Sequence, residues 1–327
     1  MIPTMSRPKV VLTNPSVPVG ENIIREVAEL VIAPDPGFDT MRSLIGDCDV
    51  LVVRAKLPDD LFERPNRVKG VVRHGAGVDL IPMESATKLG IPVANVPGVN
   101  AQTVAEHVVT TMLMFARGTH RMDSLVRTKG WNTAREISDS SIELSGKTVG
   151  IVGVGAIGKI VMKICHYGFG MKAIGFQRNT ANLPKEVTAV SLDQLFAESD
   201  FIVLACPLTA ETKGLASKAR IASMKKNAVL VNVSRGPVVD EAAITAALQA
   251  RSIRGAALDV FDKQPLDMSH PLMQLDNVIL TPHQAGLTVE AVERMSEIAA
   301  QETVRILKGE KPINFVNPEV WERRAHR

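Results

Sequence analysis

The run Gly153-Val154-Gly155-Ala156-Ile157-Gly158 stands between an apolar stretch, Thr148 to Val152, and a helical pattern that begins at Ile157. Glycines at this spacing, between a strand and a helix, meet three separate demands. Gly153 allows a tight turn, Gly155 lets the backbone approach a ligand, and Gly158 permits close packing of helix on strand. The helix start adds unpaired N–H groups and the positive end of a dipole, so the turn suits a pyrophosphate. A glycine-rich turn that holds nothing is the competing reading. Dinucleotide sites of this kind usually carry an acid about 20 residues further on, which binds the ribose hydroxyls. Here Gln177 occupies that place, followed by Arg178, Asn179 and Thr180. A carboxylate would repel a 2′-phosphate and a guanidinium attracts one. The run therefore favours NADP over NAD, with NAD beside a solvated Arg178 as the alternative.

Two more residues have types that suit a redox reaction on such a cofactor. Arg235 follows the strand Ala228 to Asn232 and precedes Gly236; its planar fork matches a carboxylate. His283 follows the strand Val278 to Leu280, beyond Thr281-Pro282, and histidine titrates near working pH. Hydride transfer to a carbonyl needs a cation to polarise it and an acid to protonate the forming alkoxide. Gly75-Ala76-Gly77 can present backbone N–H groups to an anion, with His74 adjoining it. Arg54 and Ala55, after the strand Val50 to Val53, are weaker substrate contacts. On spacing alone each has a bland counterpart: a surface arginine in a turn, a structural histidine, a simple glycine turn. His107, His120, His166 and His270 are read as structural.

The elements that must carry these residues alternate. Short β-branched runs (Val10 to Leu12, Val50 to Val53, Val68 to Val72) are separated by helical patterns such as Glu21 to Leu30, which argues for a parallel sheet with crossover helices. The loop Asn95 to Asn100 interrupts the pattern. A helix follows over Gln102 to Arg117, apolar on more than one face; it lies between domains, between subunits, or in an ordinary core. A second alternation has strands at Thr148 to Val152, Lys172 to Phe176, Phe201 to Leu204, Ala228 to Asn232, Gly255 to Leu258 and Val278 to Leu280. Its helices include Ile157 to Tyr167 and Glu241 to Ala250. The last helix runs from Val289 to Leu307. With 327 residues, the pattern reads as two α/β domains, the second inserted into the first: residues 1–100 and 289–327 form one, residues 101–288 the other.

The composition excludes other classes. Apolar residues make up 45% and charged residues 22%, as in folded globular proteins, and a net charge of +3 gives no field that argues for nucleic acid. Cys48, Cys165 and Cys206 have neither zinc nor disulfide spacing. Met1 to Lys9 lacks a signal-peptide core, and no run is long enough to span a membrane, so the cytoplasm is the expected location.

The longer motifs resemble the D-isomer-specific 2-hydroxyacid dehydrogenases over nearly the whole chain. They are Arg73-His74-Gly75-Ala76-Gly77-Val78-Asp79, Asn100 to His107, Gly146 to Gly153, Val231-Asn232-Val233-Ser234-Arg235-Gly236 with Asp240-Glu241, Ala257 to Phe261, and Pro282-His283. The resemblance implies a flavodoxin-like substrate domain built from both chain ends, a Rossmann domain in the middle, both doubly wound on parallel sheets, and an active site in the cleft. It implies a homodimer and the short form without a regulatory domain. It makes Arg235 the substrate-binding arginine and His283 the general acid in reduction and base in oxidation. It places the substrate near Arg54, Ala55, His74, Gly75, Ala76, Gly77 and Asn100 as well. The cofactor contacts it implies are Gly153, Gly155, Ala156, Ile157, Gly158, Gln177, Arg178, Cys206, Pro207, Thr212, Val233, Ser234, Arg235, Asp259, His283 and Gly286, with Asp259 resembling the acid that meets the carboxamide.

One residue departs from the family pattern. Before Pro265, where the family usually has the glutamate that pairs with the catalytic histidine, stands Gln264. A neutral amide can orient the ring but supplies no full charge to stabilise imidazolium. Formate dehydrogenases carry glutamine there. The leading expectation is an NADP- or NAD-dependent reductase of a small 2-oxo acid such as glyoxylate or hydroxypyruvate, or one resembling phosphoglycerate. Formate oxidation and a non-catalytic dinucleotide sensor are the alternatives. No metal is expected.

Overall fold

The computed structural model describes residues 7–324; Met1 to Ser6, part of the N-terminal segment read above, lie outside them. The chain forms two compact units. One comprises the chain up to Asn100 together with the chain from Thr288, and the other comprises Ala101–Leu287.

The first unit holds five strands: β1 (Lys9–Leu12), β2 (Glu29–Ile32), β3 (Val50–Val53), β4 (Gly70–Arg73) and β5 (Val93–Ala94). They lie in the order β2-β1-β3-β4-β5, all parallel. This is the flavodoxin-like order, and its connectivity reverses between β1 and β3. The strands read as unbroken apolar runs because both faces are covered. Val11, Leu51, Val53, Val71 and Val93 pack into one cluster, and Val10, Leu12, Val50, Val52, Val72 and Ala94 into the other. Period-two alternation sends successive side chains to opposite faces.

Strand β2 corrects the sequence reading. The first helix is Pro18–Val27 and does not extend to Leu30. Ala28 is extended, its N–H closing on Ile24 O at 2.9 Å. Leu30, Val31 and Ile32 then pair with Val10, Val11 and Leu12. A helix of that pattern could continue only by giving up a parallel edge strand for three residues of high β-propensity. Strand β4 likewise begins at Gly70 and not at Val68.

The second unit has seven strands: β6 (Thr148–Val152), β7 (Lys172–Phe176), β8 (Val187–Ala189), β9 (Phe201–Leu204), β10 (Val229–Asn232), β11 (Gly255–Leu258) and β12 (Val278–Leu280). The order is β12-β11-β10-β9-β6-β7-β8, again parallel throughout. It is the doubly wound dinucleotide-binding order with one more strand, and the connectivity reverses between β6 and β9. The helix Ala101–Arg117 serves as a core element of this unit. Ala105, Val108, Val109, Met112, Phe115 and Ala116 share one cluster with Val149, Ile151, Phe201, Val203 and Val231, while Leu113 is exposed. The helix read over Ile157 to Tyr167 is α-helical only from Ala156 to Lys163, and a π-turn carries it on through Gly168.

The final helix, Val289–Leu307, belongs to the first unit and packs on Pro18–Val27. Its Glu302, 2% exposed, accepts the backbone N–H of Ile313 at 3.1 Å and of Asn314 at 3.0 Å. That carboxylate holds the following segment against the edge of β5, where Val316 N–H donates to Val93 O at 2.9 Å and Asn314 O accepts from Asn95 N–H at 3.1 Å. The free edge is thereby covered. Replacing Glu302 with Ala strips the part-buried N–H groups of Ile313 and Asn314 of their acceptor, at a cost of about 1–2 kcal/mol. Glu302→Ala should lower the thermal unfolding midpoint by several degrees and Glu302→Gln should recover part of the loss. Differential scanning calorimetry checks this, and an unshifted midpoint for Glu302→Ala refutes the role.

Candidate active site

The glycine turn follows β6, next to the reversal point of the larger sheet. Gly153 has φ +89°, and a Cβ there would lie 2.8 Å from the Cα and N of Cys206. A Cβ at Gly158 would lie 2.4 Å from Gly153 O. Both glycines are therefore dictated by packing within the protein. Gly155 differs, because a Cβ there would meet nothing within 4 Å. Its exposure leaves space over the start of the helix Ala156–Lys163, whose N-terminus has no side-chain cap. An open glycine beside uncapped N–H groups fits a pyrophosphate.

Several other residues named from the sequence gather on neighbouring strand ends. Cys206 and Pro207 follow β9; Val233, Ser234 and Arg235 follow β10. Ser234 Oγ donates to Cys206 O at 2.6 Å and so ties the two loops together. Thr212 Oγ1 donates to Pro207 O at 2.7 Å and closes the loop after β9 on itself. Beyond β7, Gln177 donates through Nε2 to Asn179 O at 2.7 Å, which leaves Arg178 exposed at the tip. The carboxyl of Glu211 is held below its usual range, first by its 2.6 Å hydrogen bond from Thr209 and also by the charge of Arg178.

Arg235 is set by two features that sequence reasoning did not single out. Asn232, 1% exposed at the end of β10, donates to Arg235 O at 3.1 Å and accepts from Ser234 N–H at 3.1 Å. Gly236 is pressed on the chain leaving β11, where a Cβ would fall 2.0 Å from the carbonyl carbon of Phe261. The only local signal for either was a polar residue ending an apolar strand and a glycine after an arginine.

His283 has φ +54°, in the left-handed region that a residue with a side chain seldom occupies. Asp259 holds the segment in this shape. Its buried carboxylate accepts from Thr281 Oγ1 at 2.6 Å, Gln284 N–H at 2.8 Å and Ala285 N–H at 3.0 Å, while its backbone O accepts from His283 N–H at 2.8 Å. Gly286 follows directly. The ring of His283 is aimed by Gln264, whose Oε1 lies 3.0 Å from Nδ1. Gln264 Nε2 points to Phe261 O at 3.4 Å, so the amide oxygen faces the ring and Nδ1 carries the proton. Burial and the neighbouring Glu241 and Asp240 raise the carboxyl of Asp262, and Lys213 opposes them.

In the first unit, Arg54, Ala55 and the His74–Gly77 turn lie at the carboxyl ends of β3 and β4, beside the reversal point. Thr13 Oγ1, after β1, accepts the N–H groups of Arg54 (2.9 Å) and Ala55 (3.2 Å). The Arg54 guanidinium donates to Pro15 O. The carbonyls of the turn are all occupied. Arg73 O accepts from Gly75 N–H (2.9 Å), Gly75 O from Val96 N–H (2.9 Å) and Ala76 O from Asn95 Nδ2 (2.7 Å). The Arg73 guanidinium binds His74 O (2.5 Å) and Gly77 O (2.9 Å). Among the described residues no backbone or side-chain acceptor meets the N–H of Ala76 or Gly77. Backbone N–H groups without an acceptor in a glycine-rich turn are suited to binding an anion. Asn100 ends this unit, half-buried.

Of the other histidines, His107 is half-buried and feels the charge of the Asp259 carboxylate. His120 and His166 point Nδ1 at the carbonyls of Met114 and Met171, and His270 faces Glu241. The three cysteines are buried and free, and no cluster of metal-ligating side chains occurs among the described residues. No helix among them is long and apolar enough to cross a membrane.

A dinucleotide-type sheet with an uncapped glycine turn, an arginine after β10 and a histidine after β12 fits a nicotinamide-dependent oxidoreductase. The family model "D-isomer specific 2-hydroxyacid dehydrogenase, NAD binding domain" matches residues 109–285. The chain is 38% identical to a D-3-phosphoglycerate dehydrogenase of Methanocaldococcus jannaschii over 94% of its own length, and it spans 59% of that longer protein. It is 36% identical to a glyoxylate reductase of Thermofilum pendens, covering 97% of this chain and 96% of the relative. The crystal structure of an NADPH-dependent glyoxylate/hydroxypyruvate reductase from Sinorhizobium meliloti, in complex with NADP and malonate, superposes with a TM-score of 0.85 at 27% identity, over 96% of this chain and 98% of that one. The chain belongs to the D-isomer specific 2-hydroxyacid dehydrogenases, a family of NAD(P)-dependent oxidoreductases.

Exchanging Gln264 for Glu sets a carboxylate against Nδ1 of His283. The charge stabilises imidazolium, so the ring keeps its acidic proton to higher pH. The alkaline limb of the rate of reduction should move up by about one pH unit. A pH–rate profile of Gln264→Glu beside the parent checks this; coincident limbs count against it.

Proposed function

We propose that the enzyme reduces a small 2-oxo acid to the D-2-hydroxy acid, with NADPH preferred over NADH, and that glyoxylate and hydroxypyruvate are the first substrates to try. The fixed tautomer of His283 carries this reading. With Nδ1–H held by Gln264, the protonated ring has one proton to give, on Nε2. When bound, the nicotinamide supplies a hydride to C2. The carbonyl electron pair moves to oxygen, and His283 Nε2 delivers its proton there; in oxidation the neutral ring takes it back. Arg235 holds the substrate carboxylate and polarises the ketone. Within the first unit, the N–H groups of Ala76 and Gly77, with Arg54 and Asn100, are the groups suited to an anionic substrate. The glyoxylate reductase relatives favour this reading over formate oxidation, the reaction that Gln264 would otherwise suggest.

The preference for NADPH follows from the tip after β7. No acid stands at Gln177, and the exposed Arg178 can meet a 2′-phosphate with charge-assisted hydrogen bonds. We also place the enzyme in the cytoplasm as a homodimer. The helix Thr119–Lys129 buries none of its residues, and Val126 and Trp131 near it are exposed apolar groups. Sedimentation of the parent beside Trp131→Glu tests that assembly.

Cofactor absorbance with a panel of 2-oxo acids, and with formate in the reverse assay, tests the reaction. Glyoxylate or hydroxypyruvate should turn over and formate should not. His283→Ala should lower kcat by roughly 100- to 10,000-fold. Tight cofactor binding with no turnover on any member would replace this reading with a sensor. Arg178→Ala should raise the KM for NADPH by about 10-fold or more and leave that for NADH in place; a parent that prefers NADH overturns the cofactor assignment.

A further inference from the structure

We infer that His74 is a positioning residue for substrate: through Ser296 and Ser16 its imidazole fixes the turn Gly75–Gly77 with its N–H groups outward. The inference rests on the reading of that turn as the seat of the substrate carboxylate.

His74 directly precedes the turn and is 5% exposed. Its Nε2 lies 2.8 Å from Ser296 Oγ, on the last helix. The Ser296 hydroxyl spends its own proton on Val292 O at 2.7 Å, so toward its other neighbours it is an acceptor. Ser16 Oγ donates to it at 3.0 Å, and the geometry requires His74 to donate from Nε2–H. One buried oxygen thus gathers the loop after β1, the end of β4 and the final helix. Residues 16, 74 and 296 meet there although no local sequence pattern links them.

The acceptor itself is immobile. A Cβ on Gly20 would lie 2.7 Å from Ser296 O and 2.9 Å from Ser296 Cβ, so the first helix is pressed directly on this point. Ser16 is braced in turn by Glu21, whose Oε1 accepts its N–H at 3.1 Å. Burial, and then the charges of Arg54 and Arg73, push the His74 imidazole down to about 4, so it is a neutral donor under working conditions.

The carbonyls of the turn are pinned by Arg73, Val96 and Asn95, which fixes how the peptide planes face. None of these bonds anchors the end of β4 to the helix behind it, and the imidazole does. A Leu at this position fills space but donates nothing, so the turn is left free to pivot. The amide of a Gln reaches with a donor where Nε2 stood.

Steady-state kinetics of the full enzyme test this, using glyoxylate (or whichever 2-oxo acid the panel selects) as the varied substrate. His74→Leu and Ser296→Ala should each raise the substrate KM about tenfold while kcat and the KM for NADPH change by less than about twofold. His74→Gln should return the substrate KM to within about threefold of the parent. Thermal midpoints are read on every variant, and Ser296→Ala serves if His74→Leu does not fold. Folded His74→Leu and Ser296→Ala with unchanged KM overturn the inference, as does His74→Gln that is as impaired as His74→Leu, since packing alone then explains both. Ala76→Asp separates the two levels, because it sets a carboxylate on the seat. A raised substrate KM in Ala76→Asp supports the seat, and a null result in the His74 series then counts against the positioning role alone. No effect of Ala76→Asp overturns the seat, and the inference with it.

Discussion

The active-site half of the larger unit depends on one buried carboxylate. Asp259 ends a strand whose neighbours are all apolar, at 3% exposure, where an unsatisfied charge would cost several kcal/mol. It is tolerated because three donors from residues 281–285 close on it. Those same bonds make the chain turn sharply after β12 and hold His283 in a backbone conformation that would otherwise relax. The strain and the charge offset one another: the carboxylate needs the loop in that shape, and the loop keeps it only against the carboxylate. Any contact between Asp259 and a carboxamide has to share oxygens already committed to this task.

The same logic recurs with weaker groups on the neighbouring strands. Asn232 is neutral, yet it too satisfies its buried amide only by gripping the turn that follows, here the one that carries Arg235. Gly236 then lets that turn lie against the chain at Phe261, three residues before Gln264. Arginine, glutamine and histidine thus issue from three consecutive strands of one sheet, β10, β11 and β12, each from a loop whose backbone is held by a buried polar side chain or by close packing. Rigid placement of this kind is what allows catalytic groups to act without paying reorganisation at the moment of reaction.

What could be read in the sequence follows from how far apart the interacting residues lie. The central strands were legible because burial on both faces writes an apolar run into a few consecutive residues. The glycine turn was legible because strand, turn and helix are contiguous. Strand β2 was misread because Glu21 to Leu30 satisfies a helical period up to Val27 and the partner that turns Leu30–Ile32 into a strand is β1, about twenty residues upstream. The supports were not legible at all. Asp259 grips residues 22 to 26 positions away, and Ser296 meets a histidine 222 positions away. Asp259 carried a role by resemblance, and the structure adds a second one that no motif expressed.

Gln264 is where this chain departs from the family pattern that its motifs otherwise resemble. A glutamate at that position would orient the ring and stabilise its charged form together. Glutamine separates these effects: it keeps the geometry and the tautomer, and it leaves imidazolium to be stabilised by whatever else faces Nε2. In the proposed reduction, the ketone oxygen becomes an alkoxide as the hydride arrives and brings negative charge to that atom. The histidine is then most readily charged when a substrate able to accept its proton is present. On the proposed reaction, protonation of the site is tied to a 2-oxo acid, whose C2 oxygen gains a proton on reduction, whereas oxidation of formate to carbon dioxide transfers none.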